Sequence, residues 1–175
     1  MMKLHNFISL FTGLAIAFGI TAIAEQPSYA GNTTFYCEKN NGIPTTFART
    51  EDGIKLGIIR WVSNYGASQQ WTPEKRCYEV SRRFQVNYDR GTLKFITTGY
   101  IRGVPVICAS NQPNASCTDD TLLFSLKPGT NPNGTLRRLL DRRALATGNA
   151  INESSQQIYV NFEKYLKDTK TRFNR

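Results

Sequence analysis

The chain has a single histidine, His5, which lies in the opening segment. After it there is no imidazole. That absence excludes a Ser-His-Asp or Cys-His arrangement, because the general base is missing. It also excludes His-ligated zinc and a side chain that switches charge near neutral pH. Phosphate-cradling loops are missing as well, with neither a Walker pattern nor Gly-x-Gly-x-x-Gly present. No two cysteines are as close as Cys-x-x-Cys. There is no internal repeat, low-complexity block or linker that would split the chain, and no second long apolar run. These absences point to no cofactor and no metal.

What is there begins with an export signal. Lys3 gives a short positive start, and Phe7 to Ala24 is apolar and uncharged. A polar stretch follows and ends in Ser28-Tyr29-Ala30, a small-residue cleavage pattern, with Ala22-Ile23-Ala24 as a second candidate. A retained transmembrane helix is the alternative, since the run is close to the minimum for spanning a bilayer. No cysteine at either site suits a lipid anchor. The expected organisation is therefore a signal peptide over residues 1–30 and one domain over 31–175, long enough for a core of its own. The signal carries one cation, Lys3, and one anion, Glu25, so its removal leaves the net charge at +9.

Cys37, Cys77, Cys108 and Cys117 all lie in the expected mature part. An even number in an exported chain points to disulfides. Three pairings exist. Cys37–Cys77 with Cys108–Cys117 is preferred, because Asn111-Gln112-Pro113-Asn114 is turn-rich and brings the second pair together. A four-cysteine zinc site would show closer spacing.

Hairpins and helices follow in turn. Thr33 to Lys39 and Thr45 to Arg49 are β-prone around Asn40-Asn41-Gly42, and Glu51-Asp52-Gly53 leads into Ile54 to Val62. Thr72-Pro73-Glu74 opens a helix with a cap, a first-turn proline and an acid at the positive end. Cys77, Val80, Ser81, Phe84 and Tyr88 share one face, and Arg90-Gly91 ends it. Thr92 to Tyr100 and Val104 to Ala109 pair around Arg102-Gly103, and Thr121 to Leu126 is a further strand. A second helix runs from Asn131 or Thr135 to Thr147, with Leu136, Leu139, Leu140 and Ala144 inward and Gly148 as its stop. Ile158 to Asn161 is a short strand. Phe162, Tyr165, Leu166, Thr169 and Phe173 trace a last amphipathic helix. Strands grouped as hairpins with helices between the groups predict an α+β fold, an antiparallel sheet of hairpins with two or three packed helices and two disulfides.

Several of these segments, taken together, resemble the cyanobacterial circadian-oscillating-protein domain family. They are Phe35-Tyr36-Cys37, Pro44-Thr45-Thr46 with Ile59-Arg60-Trp61, and Thr72-Pro73-Glu74-Lys75-Arg76-Cys77 running into Val80-Ser81-Arg82-Arg83-Phe84-Gln85. Thr97-Thr98-Gly99, Pro105-Val106-Ile107-Cys108, Cys117 and Leu122-Leu123-Phe124-Ser125-Leu126 continue the pattern in order. The resemblance covers about Phe35 to Thr147. It implies export in a cyanobacterium, to the periplasm, thylakoid lumen or cell surface, and it supplies no catalytic residues.

Candidate chemistry starts from the charge. Arg82 and Arg83 lie on the first helix, and Arg137, Arg138, Arg142 and Arg143 on the second. They could present a basic surface to an anionic membrane, an acidic polysaccharide or an acidic protein. Glu79, three and four residues before Arg82 and Arg83, offsets part of that charge, and Asp141 lies beside Arg137 and Arg138. Nucleic acid is the common partner of basic chains, but export and the lack of any nucleic-acid-binding signature argue against it. The basic last helix could lie on a membrane, or simply pack. Among carboxylates, Asp119 with Asp120 and Glu74 with Glu79 are the candidates for a small hydrolase. Adjacent Asp119 and Asp120 would point to opposite faces, and no ligand spacing makes them a calcium loop. Trp61, Tyr65, Trp71 and Tyr78 could stack on a sugar or a peptide, or pack in the core. The reading is a non-catalytic, exported binding or structural module. Its alternatives are a carboxylate hydrolase and a protease inhibitor presenting the Cys108–Cys117 loop.

Overall fold

A computed structural model describes residues 32–63, 71–113, 115–140 and 157–173. The predicted export signal, the polar loop over 64–70, and Arg142 and Arg143 lie outside these residues. Among the described residues, seven strands and three helices follow one another. They are β1 (Thr34–Asn40), β2 (Ile43–Arg49), β3 (Lys55–Arg60), α1 (Pro73–Asp89), β4 (Phe95–Ile101), β5 (Val104–Ser110), β6 (Leu122–Ser125), α2 (Pro132–Leu139), β7 (Tyr159–Asn161) and α3 (Phe162–Phe173). The hairpins form two antiparallel sheets, β1-β2-β3 and β6-β5-β4-β7. This is the expected α+β construction with its hairpins divided between two sheets.

The turns follow from residue type. β1 and β2 are joined through Asn41-Gly42, with φ of 50° and 78°, and β4 and β5 through Arg102-Gly103, with φ of 49° and 77°. Two consecutive residues at positive φ give the tight turn whose twist matches the strands it joins, and glycine takes the second position without steric cost. α1 starts where capping chemistry predicts. The Thr72 hydroxyl accepts from the Lys75 N–H at 3.2 Å, and Pro73 occupies the first turn. α3 is capped by the Asn161 side chain, which accepts from the Lys164 N–H at 2.8 Å.

α1 packs on β1 and β2 and also meets β6, so one helix bridges both sheets. Its buried face is Cys77, Val80, Ser81, Phe84 and Asn87, with Tyr88 partly buried. Phe84 meets Phe35 of β1 at 5.4 Å and Phe162 of α3 at 5.8 Å between ring centroids. That aromatic group draws three elements together. Trp61, just past β3, stacks edge-on against Phe124 of β6. Its indole N–H donates to the Thr46 hydroxyl at 3.0 Å, which also accepts from Ser81 of α1 at 3.1 Å. All three side chains are buried, so this small network satisfies polar groups that burial would otherwise penalise. On α2, Leu136 is buried and Leu139 packs against the core, and Leu140, just past its end, is buried as well. On α3, Phe162, Tyr165 and Leu166 are buried.

Both expected disulfides are present. Cys37–Cys77 fastens β1 to α1, and Cys108–Cys117 fastens β5 to the segment before β6.

Candidate functional site

The site grows out of a mismatch in strand length. β4 has seven residues, but the three-residue β7 pairs only with Phe95, Ile96 and Thr97. One further bond, from the Thr98 N–H to the Ile158 carbonyl at 3.3 Å, ends the pairing. Thr98, Gly99 and Tyr100 continue past it and line a cleft of about 630 Å³.

The disulfide places one wall. Cys108 lies opposite Thr97 in the β4–β5 register, and its bond draws Cys117 over β4. Cys117 then rests on Gly99, where an added Cβ would sit 2.9 Å from the Cys117 sulfur and 3.2 Å from its Cβ. A glycine inside a strand often marks such an approach. Gln157 secures the same wall. Its amide N–H donates to the Thr97 hydroxyl at 2.9 Å and to the Ala115 carbonyl at 2.8 Å.

The start of α2 places the other wall, from Gly129 to Asn133. Asn131 caps the helix, its side-chain oxygen accepting from the Gly134 N–H at 3.1 Å, and Pro132 fits the first turn. The Thr98 hydroxyl donates to the Asn133 side-chain oxygen at 2.6 Å, which ties this wall to β4.

The described lining of the cleft is neutral. Among the described residues lining it there is no Asp, Glu, Lys, Arg or His. Thr98, Asn133 and Gln157 are held by hydrogen bonds, whereas the hydroxyls of Tyr100, Ser116 and Thr130 have no protein partner among the described residues. Tyr100 is 64% exposed. The arrangement offers groups that both donate and accept hydrogen bonds, beside one aromatic ring.

The residues singled out from the sequence lie elsewhere. Arg82 and Arg83 both donate to Glu79, at 2.8–3.0 Å, and Arg83 also reaches the Leu123 carbonyl at 3.3 Å. The hydrogen bonds from Arg82, supported by Arg83 against the opposing effect of burial, lower the Glu79 carboxyl from 4.5 to about 2. Two cations here share one anion. Arg137 is half-buried, while Arg138 is exposed and donates to the Thr135 hydroxyl at 3.2 Å. Asp119 pairs with Arg102 at 2.5 Å and Glu74 with Lys39 at 3.4 Å, and Asp120 is exposed. The structure brings none of these carboxylates into the cleft. Among the described residues, no group of three or more His, Cys, Asp or Glu could hold a metal. Trp61 is a core residue, Trp71 and Tyr78 are exposed, and Tyr65 lies outside the described residues.

The family described as circadian oscillating protein COP23 matches residues 34–167. The chain belongs to that family. The match takes in all seven strands, α1, α2 and half of α3, so the COP23 region contains both disulfides and the whole cleft. The COP23 family is cyanobacterial and exported. Its description names a rhythm and not a reaction. No curated protein and no solved structure matches the chain.

Proposed function

We propose that this chain is an exported binding module that takes a neutral, polar ligand in the cleft beside Cys108–Cys117. The observation that carries the reading is the composition of the cleft. It is lined by hydroxyls, amides and three glycines, without a charged side chain among the described residues. Its volume suits a small-ligand site, typically about 300–1,000 Å³. Its walls are held before any ligand arrives, by a disulfide, a helix cap and the bonds of Gln157 and Thr98. Such preorganisation lowers the ordering cost of binding.

The test is an isotope-labelled, oxidised domain titrated with soluble oligosaccharides, short peptides and lipid headgroups. Movement of the Gly99, Gly103 and Gly129 amide signals supports the cleft as the site. If no class in the panel moves any of these three signals, the proposal is wrong.

A second reading, binding to an anionic membrane, acidic polysaccharide or acidic protein, draws support from the net charge of +9 and the exposed Arg138, Lys164 and Lys167. Arg82 and Arg83 contribute little to such a surface, because both pair with Glu79. Retention on anionic vesicles and on acidic polysaccharide should fall steeply with salt. Absence of retention at low ionic strength would remove this reading.

A further inference from the structure

We infer that the ligand of the cleft is a neutral oligosaccharide, held with Tyr100 against one face of a sugar ring. The inference rests on the cleft being the binding site and adds the class of molecule.

Three features of the cleft select that class. The first is hydrogen-bonding type. The hydroxyls of Tyr100, Ser116 and Thr130, without a protein partner among the described residues, can each donate and accept. A sugar hydroxyl has the same dual character, so a run of them can satisfy such a lining in either sense. The second is charge. A phosphate, a carboxylate sugar or an ionic side chain would meet no counter-ion on the described lining, whereas a neutral ligand needs none. The third is the aromatic. Tyr100 lines the cleft and is 64% exposed, and Tyr offers a flat apolar face with a polar tip. The C–H face of a pyranose presents apolar surface of matching shape, with hydroxyls around its edge.

A peptide ligand fits less well. An extended peptide gains specificity from pockets for alternate side chains. The lining here is hydroxyl, amide and glycine, with Pro105, Pro132 and Cys117 as its other apolar parts. The glycines suit a sugar better. Apart from their chain neighbours, no described protein atom lies within 4 Å of a Cβ added at Gly103 or Gly129, so their backbone is open to close approach.

The experiment uses the full oxidised mature chain. Neutral α- and β-linked glucan hexamers, an acidic uronate hexamer and a neutral hexapeptide are titrated separately, with amide spectra and calorimetry as readouts. Binding of at least one neutral hexamer is expected, with movement of the Gly99, Gly103 and Gly129 signals. Tyr100→Ala should weaken that binding about tenfold, while Tyr100→Phe stays within about threefold, because the ring face is kept. Ser116→Trp, which fills an exposed edge of the cleft, should abolish it and serves should Tyr100→Ala fail to fold. If only the uronate or the peptide moves the cleft signals, the sugar class is overturned while the site survives. If a neutral hexamer binds but moves signals elsewhere, or if Tyr100→Ala and Ser116→Trp bind as well as the parent, the inference falls. Silence from all four ligands overturns it as well.

Discussion

Glu79 shows how much a single side chain changes the charge reading of its surroundings. Its two oxygens accept from Arg82 and Arg83, one turn further along α1. The folded carboxyl is lowered to about 2 from 4.5, so its ion pairs add their full stability above about pH 4.5. That contribution drains away as pH falls toward 2. Exposure keeps it small: Glu79→Gln should cost about 0.5–1 kcal/mol near neutrality. Urea unfolding across pH should show the parent and variant curves converging on the acid side. A gap that persists at pH 2 would contradict the assignment. Gly99 is the second decisive residue. Its requirement is spatial, because the Cys117 sulfur occupies the place of a side chain. Gly99→Ala should destabilise the protein by about 1–3 kcal/mol. In a Cys108→Ser, Cys117→Ser background most of that cost should vanish, and a double-mutant cycle reads the coupling directly. Equal costs in the two backgrounds would show that the sulfur is not what Gly99 accommodates.

At the scale of elements, the two disulfides act on different joints. Cys37–Cys77 fixes a helix to a strand across 40 residues, and Cys108–Cys117 closes a nine-residue separation that forms one wall of the cleft. In the chain-entropy account their removal costs about 4 and about 3 kcal/mol respectively. Denaturant midpoints of the two double-serine variants measure this ranking. Only loss of the Cys108–Cys117 bond should also disturb the amide signals around Gly99. The Cys108–Cys117 bond, the hairpin turns and α1 were legible in the sequence because each depends on local chemistry, and Cys37–Cys77 followed as the remaining pair. Asn41-Gly42 and Arg102-Gly103 define turns by themselves, and Thr72-Pro73 starts a helix without reference to the rest of the molecule. The pairing of Arg82 and Arg83 with Glu79 was legible for the same reason, through helical spacing. The cleft was not. Its lining comes from β4, the segment around Cys117, the start of α2 and Gln157, which tertiary folding alone brings together. Its residues carry no catalytic signature, and Gly129 to Asn133 read simply as a loop leading into a helix. Gly99 within a strand was the one local hint. The division of the hairpins into two sheets was equally hidden, because alternation within a strand does not say which hairpins share an edge.

Across the whole molecule, α1 is the shared support: it bears on β1 and β2 and reaches β6 of the other sheet. Phe84 at its centre is 1% exposed and touches Phe35 and Phe162. Phe84→Ala should cost about 3–5 kcal/mol and lower the unfolding midpoints reported by both sheets together. Separate transitions for the two sheets would show that they are not coupled through this helix. Membership of an exported family places the chain where its four thiols can oxidise. The covalent links join neighbours in chain order, first cysteine to second and third to fourth, so their loops neither overlap nor interleave. A polypeptide threaded through a translocon from its amino end presents those thiols in the same succession. Oxidation in that order should give the native connectivity without reshuffling, and bond mapping after isomerase-free export checks it, with any link between the two pairs as the contrary result.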